Sequence, residues 1–358
     1  MEVLNSIKTR LAGKNDTSCI WCLGAGSGPS ESHPKTPVVH WSKGDNGTPS
    51  PAKRKSDTQL MNQPAEKKLE KAVESPYHLQ AYVAERKGER EEMQDAYVII
   101  ENYRLDVSPD ASIQQMAYYA VFDGHAGARA SQYSARHLHS NLAEKLQCTN
   151  VQAVEKEIKR IFIDTFKKTD EDFLKEASRN KPAWKDGTTA VCVLLINETL
   201  YIANLGDSKA VLCRNDKPLP LTVDHNPTQY DERIRIQKAG GQVRDGRVLG
   251  ILEVSRSIGD GPYKSSGVIC IPDVKRCKLT DEDRFIIVAC DGLWKAFSPE
   301  GAIKTVIEVI QDDLITAAEG KTLEQTRFEA ACNKLAADSV RRGCGDNVTV
   351  ILIKIGTH

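Results

Sequence analysis

Two aspartates stand at the ends of apolar runs, each followed by glycine: Asp123-Gly124 closes AYYAVFDG, and Asp291-Gly292 closes FIIVACDG. Two more carboxylates edge segments of the same kind, Asp207 after YIANLG and Asp346 just before NVTVILIKI. A carboxylate beside a core must be hydrogen-bonded, paired or neutralised. Any one of the four alone reads equally well as a helix cap or a turn residue. Together they are harder to place that way. Two like charges about 4 Å apart repel by roughly 1 kcal/mol in water and roughly 4 kcal/mol at an effective dielectric of about 20. An uncompensated cluster therefore forces protonation. Divalent cations remove that penalty, and an all-oxygen donor set without a cysteine or histidine cluster selects Mg2+ or Mn2+ over zinc.

Paired ions of this type lower the pKa of a bridging water and clamp phosphate oxygens. His125, in Asp-Gly-His at the strand end, is placed to protonate a leaving oxygen. Arg90, in ERKGEREEMQDAYVII, offers a planar fork for phosphate. The chemistry these residues suggest is metal-assisted hydrolysis of a phosphate ester. A cysteine phosphatase fits poorly. Cys270 and Arg276 have the bare spacing of a phosphate loop, but Pro272 lacks an N–H and Asp273 repels an anion. An aspartyl-phosphate mechanism wants a second aspartate two residues after Asp123, where His125 stands.

Rigid elements must hold these groups. The runs YVAER, AYVII, MAYYAVF, TAVCVLLIN, TLYIANLG, KAVLC, RFIIVAC and VTVILIKI read as strands. Amphipathic stretches predict helices over 127–146, 151–178, 228–239, 299–314 and 322–341. Tight turns at Asn197-Glu198 and Gly206-Asp207-Ser208 predict three consecutive antiparallel strands, with Asp207 capping the second hairpin. Helices fall between sets of strands, which indicates an α+β fold.

The chain has 358 residues, 40% hydrophobic and 27% charged, enough for a large core. Lysine plus arginine equals aspartate plus glutamate at 49 each, which argues against a nucleic-acid binder working through bulk charge. No run is apolar enough for a membrane span, and MEVLNSIKTRLAGKND lacks the apolar core of an export signal. The ten cysteines sit mostly in apolar runs, as thiols do in a reducing compartment, so a cytoplasmic location is expected. Residues 1–75 lack sustained periodicity and are expected to form a disordered tail. Within the tail, Lys53-Arg54-Lys55 and Lys67-Lys68 have the two-cluster form of a nuclear import signal, which adds the nucleus. Cys19 and Cys22 form a lone CxxC, too little for zinc.

Beyond the tail, residues 76–358 resemble the metal-dependent type 2C protein serine/threonine phosphatases. The resemblance rests on REEMQD (90–95), VFDGHAG, DGTTA, IANLGDSKAVL, DHNP, KAGGQV, LEVSRSIGD, ACDGLW and GCGDNVTV, in that order. It implies a four-layer α-β-β-α sandwich of two antiparallel sheets flanked by helices. It also implies two Mg2+ or Mn2+ ions: Asp123 would bridge both, the Gly124 carbonyl would bind one, and Asp291 and Asp346 would ligate the other. Arg90 would contact the phosphate, His125 would be the general acid, and Asp95 would hold the surrounding waters. Three positions depart from the family pattern. Gln94 stands where glutamate is usual, Ala126 where a second glycine is usual, and Lys295 where an aspartate would join Asp207 and Asp291 at a weaker third metal site. An ammonium there competes with a cation. By this resemblance the substrates are phosphoproteins and the chain is a monomer. The stretches ERKGEREEMQDA, KPAWKDG and CDGLWKAF resemble the branch associated with integrin-linked kinase, which implies that kinase as a partner and a restraint on kinase signalling. The competing reading is a catalytically weak scaffold that only binds such partners.

Overall fold

The computed structural model describes residues 77–103, 113–146 and 151–357. The tail boundary, the basic clusters at 53–68 and the Cys19–Cys22 pair lie outside the described residues. Two five-stranded sheets dominate. One runs β1 (Tyr77–Arg86), β15 (Val348–Thr357), β14 (Asp283–Ala289), β8 (Lys209–Arg214) and β9 (Lys217–Pro220). The other runs β13 (Asp273–Lys278), β7 (Thr199–Leu205), β6 (Ala190–Ile196), β3 (Met116–Phe122) and β2 (Ala96–Ile100). Every neighbouring pair in both sheets is antiparallel.

The unbroken apolar character of the central strands follows from burial on both faces. In β3, Ala117, Tyr119 and Val121 point between the sheets and meet Val193, Ile286 and Ile353. Tyr118, Ala120 and Phe122 point the other way, into a core with Leu142 of α1 (Arg129–Leu146) and Phe162 of α2 (Val151–Arg179). On the outer face of the first sheet, Ile287 and Leu352 pack against Val306 of α6 (Pro299–Ile310) and Leu335 of α7 (Leu323–Arg341). The result is the expected α-β-β-α layering. Each fully buried aliphatic side chain contributes about 1.5–3 kcal/mol. Local signals support the outer helices: Ser298 caps α6, and Thr322 with Gln325 forms a capping box on α7. Helix α6 ends at Ile310, short of the predicted 314, where the Asp312 carboxylate turns back to accept from the Leu314 N–H at 2.9 Å.

The predicted three-strand meander is corrected at its second turn. Strands β6 and β7 do form a hairpin through Asn197, whose φ is +53°. Strands β7 and β8 lie in different sheets, so Asp207 caps no hairpin. Gly206-Asp207-Ser208 instead carries the chain across the sandwich. Gly206 turns with φ +101°, its carbonyl accepts from the His225 N–H at 2.9 Å, and the Ser208 and Thr189 hydroxyls bond at 2.7 Å. A short connection permits pairing without requiring it, and burial on both faces favours the step to the facing sheet.

Smaller elements gather at one end. Strands β4 (Gly124–His125), β5 (Gly187–Thr188) and β12 (Ile258–Gly259) form a three-stranded sheet in the order β12-β5-β4. Helix α3 (Tyr230–Lys238) and the hairpin of β10 (Val243–Arg244) and β11 (Arg247–Val248) belong to a lobe with its own core, including Ile236, Leu252 and Val268. Two single-turn helices, α4 (Gly261–Lys264) and α5 (Asp291–Trp294), complete the described chain. All cysteines among the described residues are free thiols, and no helix there is long and apolar enough to cross a membrane.

Candidate active site

The two Asp-Gly steps leave inner strands of the two facing sheets, β3 and β14, at the same end of the sandwich. Asp123 follows β3, its N–H donating to the Thr189 hydroxyl at 3.2 Å and its carbonyl accepting from the Thr189 N–H at 3.0 Å. Asp291 follows β14 and opens α5. Each glycine is required by close approach. A Cβ on Gly124 would lie 2.2 Å from the Gln94 carbonyl oxygen, and one on Gly292 would lie 2.0 Å from that of Asn347. The crossing between the sheets brings Asp207 to the same place. Carboxylate oxygens of Asp123, Asp207 and Asp291 all lie within 4.8 Å of one another.

The electrostatic consequence is large. Burial, and then the charges of Asp95, Asp291 and Asp207, hold the Asp123 carboxyl far above the carboxylate range. Burial pushes Asp95 and Asp207 each up to about 7. Asp95 sits behind Asp123, where one oxygen accepts from the Thr349 hydroxyl at 2.8 Å and the other is buried with no partner. An orphaned buried carboxylate oxygen beside three more carboxylates is the donor set a hard divalent cation requires. The site residues therefore fit Mg2+ or Mn2+.

Asp346 stands apart from the tight cluster. Its oxygens pair with Arg90 at 3.0 Å and with Lys295 at 3.1 Å, and Lys295 also reaches Asp291 at 2.6 Å. One ammonium thus ties the two carboxylates together. Burial outweighs it at Asp291, which stays above its ordinary value. At Asp346 burial also acts upward, but the Lys295 hydrogen bond and charge win and the net shift is downward. Arg90 is 58% exposed and lines the cleft.

One cysteine comes close to the acidic cluster. The Cys290 sulfur lies within 4.8 Å of ligand oxygens of Asp95 and Asp123. The thiol accepts from the Thr349 N–H at 3.1 Å and donates to the Asn347 carbonyl at 3.5 Å, and burial drives its pKa far up. A protonated thiol is a poor ligand, so the preference for hard ions stands.

Other contributors went unassigned. Asn347, buried between Asp346 and β15, accepts from the Gln94 N–H at 2.7 Å and donates to the carbonyls of Lys87 at 2.8 Å and Glu92 at 3.0 Å. It pins the loop that carries Arg90 and Gln94. The Gln94 side chain itself lines the cleft. His125 faces Asp260, its Nε2 2.7 Å from a carboxylate oxygen. Burial lowers the imidazole pKa, but the charge and hydrogen bond of Asp260 outweigh it and the net shift is upward. Asp260 ends the run LEVSRSIGD, which carried the family resemblance without its closing acid being singled out. These groups line a cleft of about 420 Å³, whose far wall is built from Ile251, Leu252, Val254 and Tyr263 of the small lobe.

Comparison with known proteins agrees with this architecture. The protein phosphatase 2C family model matches residues 80–348. The mouse integrin-linked kinase-associated serine/threonine phosphatase 2C is 55% identical over 315 residues, covering 85% of this chain and 80% of that protein. A probable protein phosphatase 2C 67 of rice is 37% identical over 297 residues, covering 77% and 75%. Among solved structures, a serine-threonine phosphatase 2C from Toxoplasma gondii superposes with a TM-score of 0.64 at 21% identity, covering 78% of this chain and 95% of that one. That last likeness concerns the fold alone. With most of its length matched by the family model and its acidic cluster at the mouth of the sandwich, this chain belongs to the protein phosphatase 2C family.

Proposed function

We propose that the chain hydrolyses phosphoserine and phosphothreonine in proteins with two Mg2+ or Mn2+ ions. The observation that carries this reading is the convergence of Asp123, Asp207 and Asp291 within 4.8 Å, with the orphaned Asp95 oxygen behind them. Asp123, the Gly124 carbonyl, Asp291 and Asp346 would hold the ions. Bound there, divalent cations supply Lewis acidity, making water nucleophilic at neutral pH and offsetting phosphate charge. The chain's own groups do the rest. Arg90 swings from Asp346 to grip phosphate oxygens with its guanidinium fork. His125 gives a proton to the departing seryl or threonyl oxygen. The apolar wall of the small lobe takes residues flanking the phosphoamino acid and excludes bulk water.

The test is release of phosphate from a phosphothreonine peptide by the purified full chain. Activity is expected with Mn2+ and not with chelator, and Asp123→Ala should abolish it. His125→Ala should lower kcat by about 10²–10⁴-fold, the range of a positioned general acid. Full turnover in chelator would overturn the reading. The mouse relative's name associates it with integrin-linked kinase, and we take that kinase as a partner of this chain, acting as a monomer to restrain kinase signalling. Co-precipitation of the two purified proteins, and light scattering of the chain alone, test those points.

A further inference from the structure

We propose that Asp260 is the positioning residue for His125: it holds Nε2 so that Nδ1 is the nitrogen that serves the leaving oxygen. This rests on the phosphatase reading above. The three-stranded sheet builds the pair. His125 lies on β4 and Asp260 directly follows β12, with β5 between them. Gly187 of β5 leaves the room: a Cβ there would lie 2.2 Å from the Asp260 oxygen and 2.3 Å from His125 Nε2. The carboxylate itself is fixed from several sides. Ser257 donates its hydroxyl to the same oxygen at 2.6 Å, and the Asp260 N–H donates to the Asp186 carbonyl at 2.9 Å. Asp260 is 1% exposed and sits at φ +53°, ψ +41°, a left-handed conformation that non-glycine residues adopt at some cost. A buried, hydrogen-bonded carboxylate in that conformation, aimed at an imidazole that lines the cleft, is the orienting arrangement that makes a histidine directional.

The step is a displacement at phosphorus. A water oxygen forms the new P–O bond and releases a proton to solvent while the ester P–O bond breaks, and the bonding electron pair leaves with the seryl or threonyl oxygen. That oxygen takes the proton from Nδ1 of His125, and solvent restores it. Asp260 gains no proton, and its contribution is the angle and tautomer of the ring.

The test compares esters that differ in their need for protonation. The full chain, saturated with Mn2+, is assayed with a phosphothreonine peptide, phenyl phosphate and para-nitrophenyl phosphate, in order of increasingly acidic leaving groups. Asp260→Asn should lower kcat on the peptide by about 10- to 10²-fold, part of the effect of a positioned acid, and the loss should shrink along the series. The double variant with His125→Ala should be no worse than His125→Ala alone, and Mn2+ affinity by calorimetry should stay within about twofold. Ser257→Ala, a milder change, should show the same trend at smaller size and serves if Asp260→Asn does not fold. An equal loss on all three esters, additive losses in the double variant, or wild-type rates would overturn the proposal. Failure of the unmodified chain to turn over any ester with Mn2+ would instead sink the phosphatase reading.

Discussion

Removing the Lys295 charge should make the site bind divalent ions more tightly. The ammonium lies 2.6 Å from Asp291 and 3.1 Å from Asp346, two of the carboxylates assigned to the ions. In bulk-water dielectric those two contacts sum to roughly 3 kcal/mol, and at an effective dielectric of about 20 to roughly 12 kcal/mol. Lys295 is 47% exposed, so solvent screening keeps its net worth near the lower figure. Exposed pairs are worth about 0–1 kcal/mol and this one is tied at two points, so about 1–3 kcal/mol is a fair net value. A cation entering the site must displace that ammonium or bear its repulsion. Lys295→Met keeps the stem and drops the charge, so the Mn2+ Kd should fall by roughly 5- to 150-fold. The assay is calorimetric titration of the metal-free protein at low and high salt, with the gain shrinking at high salt. Lys295→Arg should stay close to wild type, and Lys295→Asp should tighten binding further and raise the number of ions bound. If Lys295→Met bound Mn2+ equally or more weakly, the idea that this ammonium competes for the carboxylates would be wrong.

Three further outcomes follow from the same geometry. Asp123→Asn should raise the melting temperature of the metal-free protein while abolishing Mn2+ binding, because it removes a charge that burial and its neighbours already disfavour; a lower melting temperature would contradict this. The metal-free protein should also gain stability as pH falls from about 8 to about 5. Asp95 and Asp207 are both raised to about 7, so in this window the folded state binds more protons than the unfolded chain and stability drops as pH rises, by about 1–2 kcal/mol per pH unit. Glu232, lowered to about 2 because its hydrogen bonds to Arg256, Ser255 and Arg235 outweigh burial, acts only below that window. Denaturant midpoints across pH, with a shallower slope once Mn2+ is saturating, check it; His125, raised by Asp260, and His139, lowered by burial, retain a part of the dependence. Asn347→Ala should cost about 2–4 kcal/mol by stranding the Gln94 N–H and two carbonyls. It should also raise KM for the phosphopeptide by releasing the Arg90 loop, and an unchanged KM would refute that link.

The strand ends were legible because burial writes itself into composition. A strand apolar on both faces, such as MAYYAVF, belongs to an inner layer, and two such strands each ending in Asp-Gly are harder to read as separate caps or turns than either would be alone. Partnership between strands was less legible. Nothing in YIANLGDSKAVLC distinguishes a hairpin from a step between facing sheets, since both need a tight turn flanked by apolar runs. The difference lies in contacts made elsewhere, β7 with β13 and β8 with β14. Asp260 escaped for a related reason: its partner His125 is 135 residues away, and only the small sheet through Gly187 joins them. Cys290 looked like one more apolar residue of the run RFIIVAC, yet it lies just past β14, with its sulfur within 4.8 Å of oxygens of Asp95 and Asp123.

The cluster also explains why so many of its supports are rigid. Four carboxylates raised above or drawn from their ordinary range would relax apart if the backbone allowed it. The backbone does not, because Asp123 directly follows β3 and Asp291 stands one residue beyond β14, inner strands whose side chains are almost all buried, and Gly124 and Gly292 lock against facing carbonyls. Substituting Gly124 by alanine would push a methyl into the Gln94 carbonyl at 2.2 Å. Relief would require moving either β4, which carries His125, or the loop that carries Arg90. The proposed general acid and the proposed phosphate grip are thus coupled through one backbone contact. Gly124→Ala should accordingly impair kcat and KM together, whereas His125→Ala should impair kcat alone.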